Sequence, residues 1–259
     1  MRKLCVLLLF LAGVIGQAHT TGLTQSMSSE IVVAAAANLT EVFTAMAQEF
    51  ERATGIKVTL SFGSTGTLAR QIENGAPFDL FAAADVATVD QLIAEGLLLP
   101  ESRQIYARGR LILWWLVDSR FSVESFEDLL QPEIQRIALA NPEIAPYGQA
   151  AKEALMALGL WETLQPKLVF ADNVLAAKQV VATGNAEAAF IPISLVQPGK
   201  DRFLSVRGQL HAPLDQALGI VKASKNQEAA QRFASFLASE VGHAMLEDFW
   251  YSIPCAKGE

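Results

Sequence analysis

Strand-like and helix-like segments alternate along almost the whole chain, and this alternation most restricts what the chain can fold into. Residues 31–36 form an apolar run typical of a strand, and residues 39–50 then place apolar side chains at helical spacing before Gly55. A glycine directly after a helical pattern is typical of a helix end. Repeated strand–helix alternation favours mainly parallel sheets covered by helices. The sequence therefore predicts an α/β protein.

Two turns between a strand-like run and a helix-like pattern carry the clearest functional signal. Segment 35–40 reads AAANLT and segment 62–67 reads FGSTGT, so each combines small residues with hydrogen-bonding side chains. Free N–H groups at a helix N-terminus attract anions, helped by the positive end of the helix dipole. Helices that follow neighbouring parallel strands begin at the same edge of the sheet. We therefore predict a small-anion site built from neutral donors.

Both turns also have a purely structural interpretation. Asn38 and Thr40 are typical helix-capping residues, and Asn38 followed by Glu41 has the spacing of a capping box. Segment 62–67 also fits an ordinary Gly/Ser turn, and it lacks the Gly-Lys-Ser/Thr ending of a Walker A loop. Capping and anion binding are compatible, because N–H groups beside a cap stay free.

Two further predicted helix starts lie in the second half of the chain. Segment 145–148 reads APYG before a predicted helix over residues 149–158, and Tyr147 there offers a hydroxyl. Segment 172–174 reads DNV, where Asp172 or Asn173 caps a helix and leaves the Val174 N–H free. A packed tyrosine and a simple cap are the structural alternatives.

No Gly/Ser-rich linker divides the chain, which argues for two lobes connected by more than one chain crossing. Strand-like residues 108–113 and 213–220 are the expected crossings. We predict that residues 30–109 plus 214–259 form lobe 1 and that residues 110–213 form lobe 2. A cleft between such lobes suits a clamshell that closes on a ligand.

The N-terminus has the pattern of a signal peptide. A short basic start precedes an apolar stretch over residues 4–15, and small residues follow it. We expect residues 1–18 to be removed, residues 19–29 to be a flexible lead, and the mature protein to be periplasmic or otherwise extracytoplasmic. Cys255 would then be the single cysteine, so an intramolecular disulfide is excluded and an intermolecular one stays open.

Composition and the placement of polar residues argue against two function classes. The formal net charge is −7 and no basic patch contains interleaved aromatic residues, so nucleic-acid binding is not expected. The three histidines are far apart, and no His/Cys/Asp/Glu cluster has metal-ligand spacing. Asp79 and Asp85 flank a strand end, where we interpret them as cap or turn residues. We therefore predict that the protein is not an enzyme.

Seven motifs together resemble one family, although each short motif alone is not specific. The similarity runs from about residue 30 to the C-terminus, and the family is the periplasmic molybdate-binding proteins of ABC importers. The motifs are AAANLT at 35–40, GSTGTLARQI at 63–72, GAPFDLFAAAD at 75–85, NPE at 141–143, PYG at 146–148, AKEAL at 151–155 and DNV at 172–174.

This resemblance implies a two-lobed type II periplasmic-binding-protein fold, each lobe a mainly parallel sheet flanked by helices, with a ligand cleft between the lobes. It implies molybdate or tungstate as the ligand, no cofactor, no cationic metal site and a membrane-embedded ABC permease as partner; we also expect a monomer. Carried over by position, the oxyanion contacts are Asn38, Thr65, Tyr147 and Val174. Thr65 stands where the family commonly has Ser and keeps the hydroxyl. Pro192 stands where some members have a tyrosine, and it can donate neither an O–H nor an N–H.

Other functions stay open on the sequence. The same fold could bind sulfate, thiosulfate or another tetrahedral oxyanion, because these anions use the same donors. A ferric-binding relative is disfavoured, since such sites use clustered tyrosines and the chain has only three. A secreted enzyme acting on phosphate esters would need a base or a metal site. A sensor or scaffold that signals through a partner is the remaining alternative.

Overall fold

Two five-stranded sheets form the centre of the computed structural model, which describes residues 30–197 and 199–254. The first has the strand order 2-1-3-10-4 and the second the order 7-6-8-5-9, numbered along the chain. The strands are β1 (Glu30–Ala36), β2 (Lys57–Gly63), β3 (Leu80–Ala82), β4 (Gln104–Arg108), β5 (Leu111–Leu116), β6 (Ile137–Ala140), β7 (Leu168–Ala171), β8 (Ala188–Pro192), β9 (Asp201–Ser205) and β10 (Asp215–Ile220).

Both sheets have the same pattern of strand directions. In the first sheet β2, β1 and β3 are parallel neighbours, and β10 is antiparallel to both β3 and β4. In the second sheet β7, β6 and β8 are parallel, and β5 is antiparallel to both β8 and β9. One strand of each sheet therefore runs against all the others. The predicted α/β fold with mainly parallel sheets is confirmed.

Eight α-helices accompany the sheets in the described part of the chain, and the crossover helices follow the parallel strands. Residues between the strand ends and the helix starts therefore gather at one edge of each sheet. The helices are α1 (Thr40–Thr54), α2 (Thr65–Glu73), α3 (Ala87–Ala94), α4 (Pro146–Ala157), α5 (Trp161–Leu164), α6 (Val174–Ala182), α7 (Gln227–Leu237) and α8 (Glu240–Asp248).

Helix α1 shows how the apolar spacing builds these elements. Its side chains Val42, Phe43, Met46 and Phe50 are all buried, as their helical spacing predicts. Burying a side chain of this size stabilises a fold by about 1.5–3 kcal/mol. The helix ends at Gly55, whose φ of 73° is left-handed and whose N–H donates to the Glu51 carbonyl at 2.8 Å. A residue with a Cβ would be strained in this conformation.

The chain passes between the sheets twice. Gly109 and Arg110 connect β4 to β5, and residues 206–214 connect β9 back to β10. The C-terminal segment returns to the first crossing, where the Arg108 N–H donates to the Ser252 carbonyl at 2.7 Å. The predicted domain bounds, 30–109 plus 214–259 and 110–213, stay a prediction.

Strands β4 and β9 are absent from the predicted elements. Strand β9 lies at a sheet edge, where none of its residues is buried, so it lacks the apolar pattern of a strand. Strand β4 is also an edge strand, and its residues do not alternate regularly between buried and exposed.

Three predictions concern residues outside the described ranges: the signal peptide (1–18), the lead (19–29) and the isolated Cys255. They stay predictions. Within the described ranges, no helix combines the length and the apolar character needed to cross a membrane.

Candidate functional site

Four helix starts meet around one small cavity between the two sheets. Those after β1 and β2 contribute Asn38 and Thr65, and those after β6 and β7 contribute Tyr147 and Val174. All four residues are buried, and no residue that lines the cavity carries a charged side chain. The structure thus brings together the four predicted contacts, while their role in binding stays a prediction.

Local hydrogen bonds prepare the start of α2. The Ser64 hydroxyl accepts the Thr67 N–H at 3.2 Å, and the Gly66 N–H donates at 2.9 Å to the carbonyl of Ile144, which lies between β6 and α4. The Thr65 N–H has no acceptor within its own helix. The Thr65 hydroxyl oxygen accepts the Ala84 N–H at 3.1 Å, which leaves the hydroxyl hydrogen available as a donor. Thr65 can therefore offer two donors.

The corresponding helix starts of the second sheet are built in a similar way. Helix α4 begins at Pro146, three residues before the predicted start, so that Tyr147 lies in its first turn. In α6 the predicted cap is confirmed at Asn173, whose side chain accepts the Ala176 N–H at 3.0 Å. Val174 is the first residue of α6, where its N–H has no acceptor within the helix.

The Tyr147 side chain is held as a neutral donor. Its hydroxyl oxygen accepts a hydrogen bond from Gln216 Nε2 at 3.1 Å, so the phenolic hydrogen is free to donate. Burial, followed by the nearby Tyr251, raises the pKa of Tyr147 well above its ordinary value, and the hydrogen bond from Gln216 only partly opposes this. The hydroxyl therefore stays protonated at neutral pH.

Asn38 does not cap helix α1, and the capping-box prediction for Asn38 and Glu41 is wrong. Asn38 lies in a short 3₁₀ turn, Ala37–Leu39, and Leu39 precedes the helix without a side-chain cap. Asn38 Nδ2 instead donates to Gln216 Oε1 at 2.9 Å and to the Tyr251 hydroxyl at 3.0 Å. Both amide hydrogens are thereby used within the protein, because a buried amide forms the hydrogen bonds that its surroundings offer.

Four polar residues behind the cavity are absent from the predicted site: Tyr106, Ser194, Gln216 and Tyr251. The Tyr106 hydroxyl shares its one hydrogen between the Ala83 carbonyl at 3.0 Å and Gln216 Oε1 at 3.1 Å. The hydroxyls of Tyr251 and Ser194 donate to the Asn38 carbonyl at 2.9 and 3.1 Å. The sequence signal for this network is weak, since Gln216 follows Asp215 at the polar start of β10 and does not stand out there.

Pro192 ends β8 and is buried. The 3₁₀ turn Ile193–Leu195 follows it directly and carries Ser194 to the Asn38 carbonyl. Ser194 thus brings a hydroxyl to the surroundings of the cavity two residues after Pro192.

The two aspartates that flank β3 have different structural roles: Asp85 is a cap residue, as predicted, whereas the Asp79 carboxylate joins distant segments of the chain. Asp79 accepts the Val32 N–H at 2.7 Å and the Ser224 hydroxyl at 2.6 Å. Asp85 accepts the Thr88 N–H at 2.6 Å at the start of α3. Burial raises the pKa of Asp85, although its hydrogen bonds with Thr88 act in the opposite direction. No group of three His, Cys, Asp or Glu residues within 30–197 and 199–254 is placed to hold a metal ion.

A second, larger cavity of about 540 Å³ lies beside the first. Four carboxylates are among its lining residues: one lies in β10, one in α4 and two in connecting segments. Carboxylates repel an anion, so the small uncharged cavity suits an anion better than the large one. The four are Asp85, Glu143, Glu153 and Asp215.

The chain matches a family model described as bacterial extracellular solute-binding protein over residues 31–252. It is 38% identical to the molybdate-binding protein ModA of Azotobacter vinelandii over 238 residues, covering 88% of this chain and 92% of that protein. It is 34% identical to ModA of Rhodobacter capsulatus, covering 93% and 95%. The solved periplasmic molybdate-binding protein of Azotobacter vinelandii superposes with a TM-score of 0.81 at 31% identity, covering 86% of this chain and 99% of that one.

Proposed function

Because the chain belongs to the family of bacterial extracellular solute-binding proteins, we propose that it captures molybdate or tungstate and delivers it to an ABC permease. Two relatives that cover most of the chain at 34% and 38% identity are named molybdate-binding proteins, which supports this ligand. The protein acts outside the cytoplasm as a monomer without a cofactor, and it transports its ligand unchanged rather than transforming it.

The observation that carries the proposal is the small uncharged cavity with donors on all sides. A tetrahedral dianion needs several hydrogen-bond donors, and helix N-termini supply them together with favourable dipoles. The cavity has four such starts, two on each sheet, and no carboxylate to repel the anion. Hydrogen bonds from neutral donors to a charged group are stronger than those between neutral groups. The site therefore needs no lysine or arginine.

Each of the four residues contributes a specific donor in this proposal. Thr65 donates its hydroxyl and its N–H, and Tyr147 donates its hydroxyl. Val174 donates the first N–H of α6. Asn38 donates its backbone N–H, since its amide hydrogens bind Gln216 and Tyr251. The anion thus accepts hydrogen bonds from helix starts that follow strands of both sheets. Its binding therefore favours the arrangement in which the two sheets are close together.

A thermal-shift panel on the mature protein tests this function. We expect molybdate and tungstate at micromolar concentration to raise the melting temperature, because a ligand that binds only the folded state stabilises it. Sulfate, phosphate and chromate at the same concentration serve as matched controls, and we expect smaller shifts. A larger shift with sulfate than with molybdate would contradict the proposed ligand. No shift with any of the five anions would contradict anion binding as such.

A further inference from the structure

Gln216 lies at the centre of the hydrogen-bond network behind the cavity. Its side chain is fully buried within β10, and it contacts residues of both sheets. Gln216 Oε1 accepts from Asn38 Nδ2 at 2.9 Å. The Tyr106 hydroxyl shares its one hydrogen between Gln216 Oε1 at 3.1 Å and the Ala83 carbonyl at 3.0 Å. Gln216 Nε2 donates to the Tyr147 hydroxyl oxygen at 3.1 Å. The side chain therefore joins two of the proposed ligand contacts directly.

The Gln216 amide and its neighbours form one consistent hydrogen-bond pattern. Asn38 Nδ2 donates to the Gln216 oxygen, so reversing the Gln216 amide alone would place its NH₂ group against Asn38 Nδ2. In this pattern the NH₂ group faces Tyr147. Because a phenolic oxygen that accepts one hydrogen bond directs its own hydrogen elsewhere, this contact leaves the Tyr147 hydrogen to the cavity.

We propose that Gln216 is a positioning residue: it holds the Tyr147 hydroxyl as a donor to the oxyanion and couples it to Asn38 across the cleft. The proposal rests on the proposed function, since it assigns a role at the same site. Gln216 itself does not line the cavity, so it acts through Tyr147 and Asn38 rather than by touching the ligand.

The first chain crossing provides independent support. A Cβ atom on Gly109 would lie 1.8 Å from the Tyr147 hydroxyl oxygen and 2.8 Å from Gln216 Nε2. The first of these distances is far below any van der Waals contact, and neither atom can withdraw without leaving the network. The glycine therefore provides the space in which the Tyr147 hydroxyl meets Gln216.

A double-mutant cycle with molybdate, measured by calorimetry, separates a positioning role from a merely structural one. The variants are Gln216→Leu, Tyr147→Phe and their combination. We expect Gln216→Leu to weaken molybdate binding about 10-fold in the wild-type background and about 2-fold in the Tyr147→Phe background. Gln104→Leu, the same substitution in the adjacent strand β4 and outside the cavity lining, serves as the control and keeps wild-type affinity.

Equal losses from Gln216→Leu in both backgrounds would overturn the positioning role, because the effect would then not pass through Tyr147. If the wild-type protein binds none of the oxyanions, the proposed function fails and this inference fails with it. If the wild-type protein binds but the cycle shows no coupling, only this inference fails.

A second variant keeps the test available if Gln216→Leu does not fold. Gly109→Ala places a methyl group against the Tyr147 hydroxyl. We expect it to weaken molybdate binding at least 10-fold alone and to have a smaller effect in the Tyr147→Phe background, where the clashing oxygen is absent. An effect that is equally large in both backgrounds would overturn the inference.

Discussion

The two helix starts of the first sheet place a donor in the same cavity in different ways. Around Thr65 the contacts within this sheet are close in sequence: Ser64 caps the helix, and Ala84, 19 positions away, holds the hydroxyl. Around Asn38 the contacts are distant in sequence, since the side-chain amide donates to residues 178 and 213 positions further along the chain.

This difference separates a donor that acts through its own side chain from one that depends on the assembled fold. The Thr65 hydroxyl oxygen accepts one backbone N–H, so its hydrogen is available to a ligand in the cavity. Asn38 uses its side chain to connect β10 and the C-terminal segment. We therefore expect a change at Thr65 to act mainly on affinity, and a change in the support of Asn38 to act mainly on stability.

Thr65→Ala has the largest expected effect on binding. It removes a hydroxyl donor to a charged ligand, and such hydrogen bonds contribute about 1.5–3 kcal/mol. We expect calorimetry to show molybdate affinity about 10- to 100-fold lower. Thr65→Ser keeps the hydroxyl and serves as the control, with affinity close to wild type. Unchanged affinity in Thr65→Ala would reject Thr65 as a side-chain contact.

Tyr251→Phe has a smaller expected effect and tests the long-range side of the comparison. The variant loses the hydroxyl that donates to the Asn38 carbonyl and accepts from Asn38 Nδ2, while Ser194 and Gln216 still hold Asn38. We expect urea unfolding to show a loss of about 1 kcal/mol in the free energy of unfolding. We expect molybdate affinity to fall no more than about 3-fold, since the variant loses hydrogen bonds that support Asn38 but no direct contact with the ligand. An affinity loss as large as that of Thr65→Ala would contradict the claim that the support of Asn38 acts mainly on stability.

The sequence predicts the features that depend on local pattern. Strand–helix alternation, the buried face of α1 and the end of α1 at Gly55 all follow from spacing within about 15 residues. The caps at Asn173 and Asp85 follow in the same way. The local pattern also predicts the four helix starts, whereas the choice of Asn38, Thr65, Tyr147 and Val174 within them comes from the family resemblance.

The network behind the site could not be predicted, because its members meet only in the folded chain. Asn38 and Glu41 have capping-box spacing, and nothing nearby shows that Gln216 and Tyr251 take the amide of Asn38 instead. Tertiary hydrogen bonds of a buried amide thus override the local capping preference. Edge strand β9 was not predicted for a different reason: an exposed strand does not need the apolar pattern by which strands are recognised.

A crystal structure of the mature protein with molybdate, recorded with anomalous data near the molybdenum absorption edge, tests the central claim most directly. We predict one strong anomalous peak in the small cavity, with oxyanion oxygens within hydrogen-bond distance of Thr65 Oγ1, the Tyr147 hydroxyl and the Val174 N–H. No lysine or arginine side chain should contact the oxyanion. A peak in the neighbouring carboxylate-lined cavity, or an oxyanion held by a basic side chain, would contradict the account.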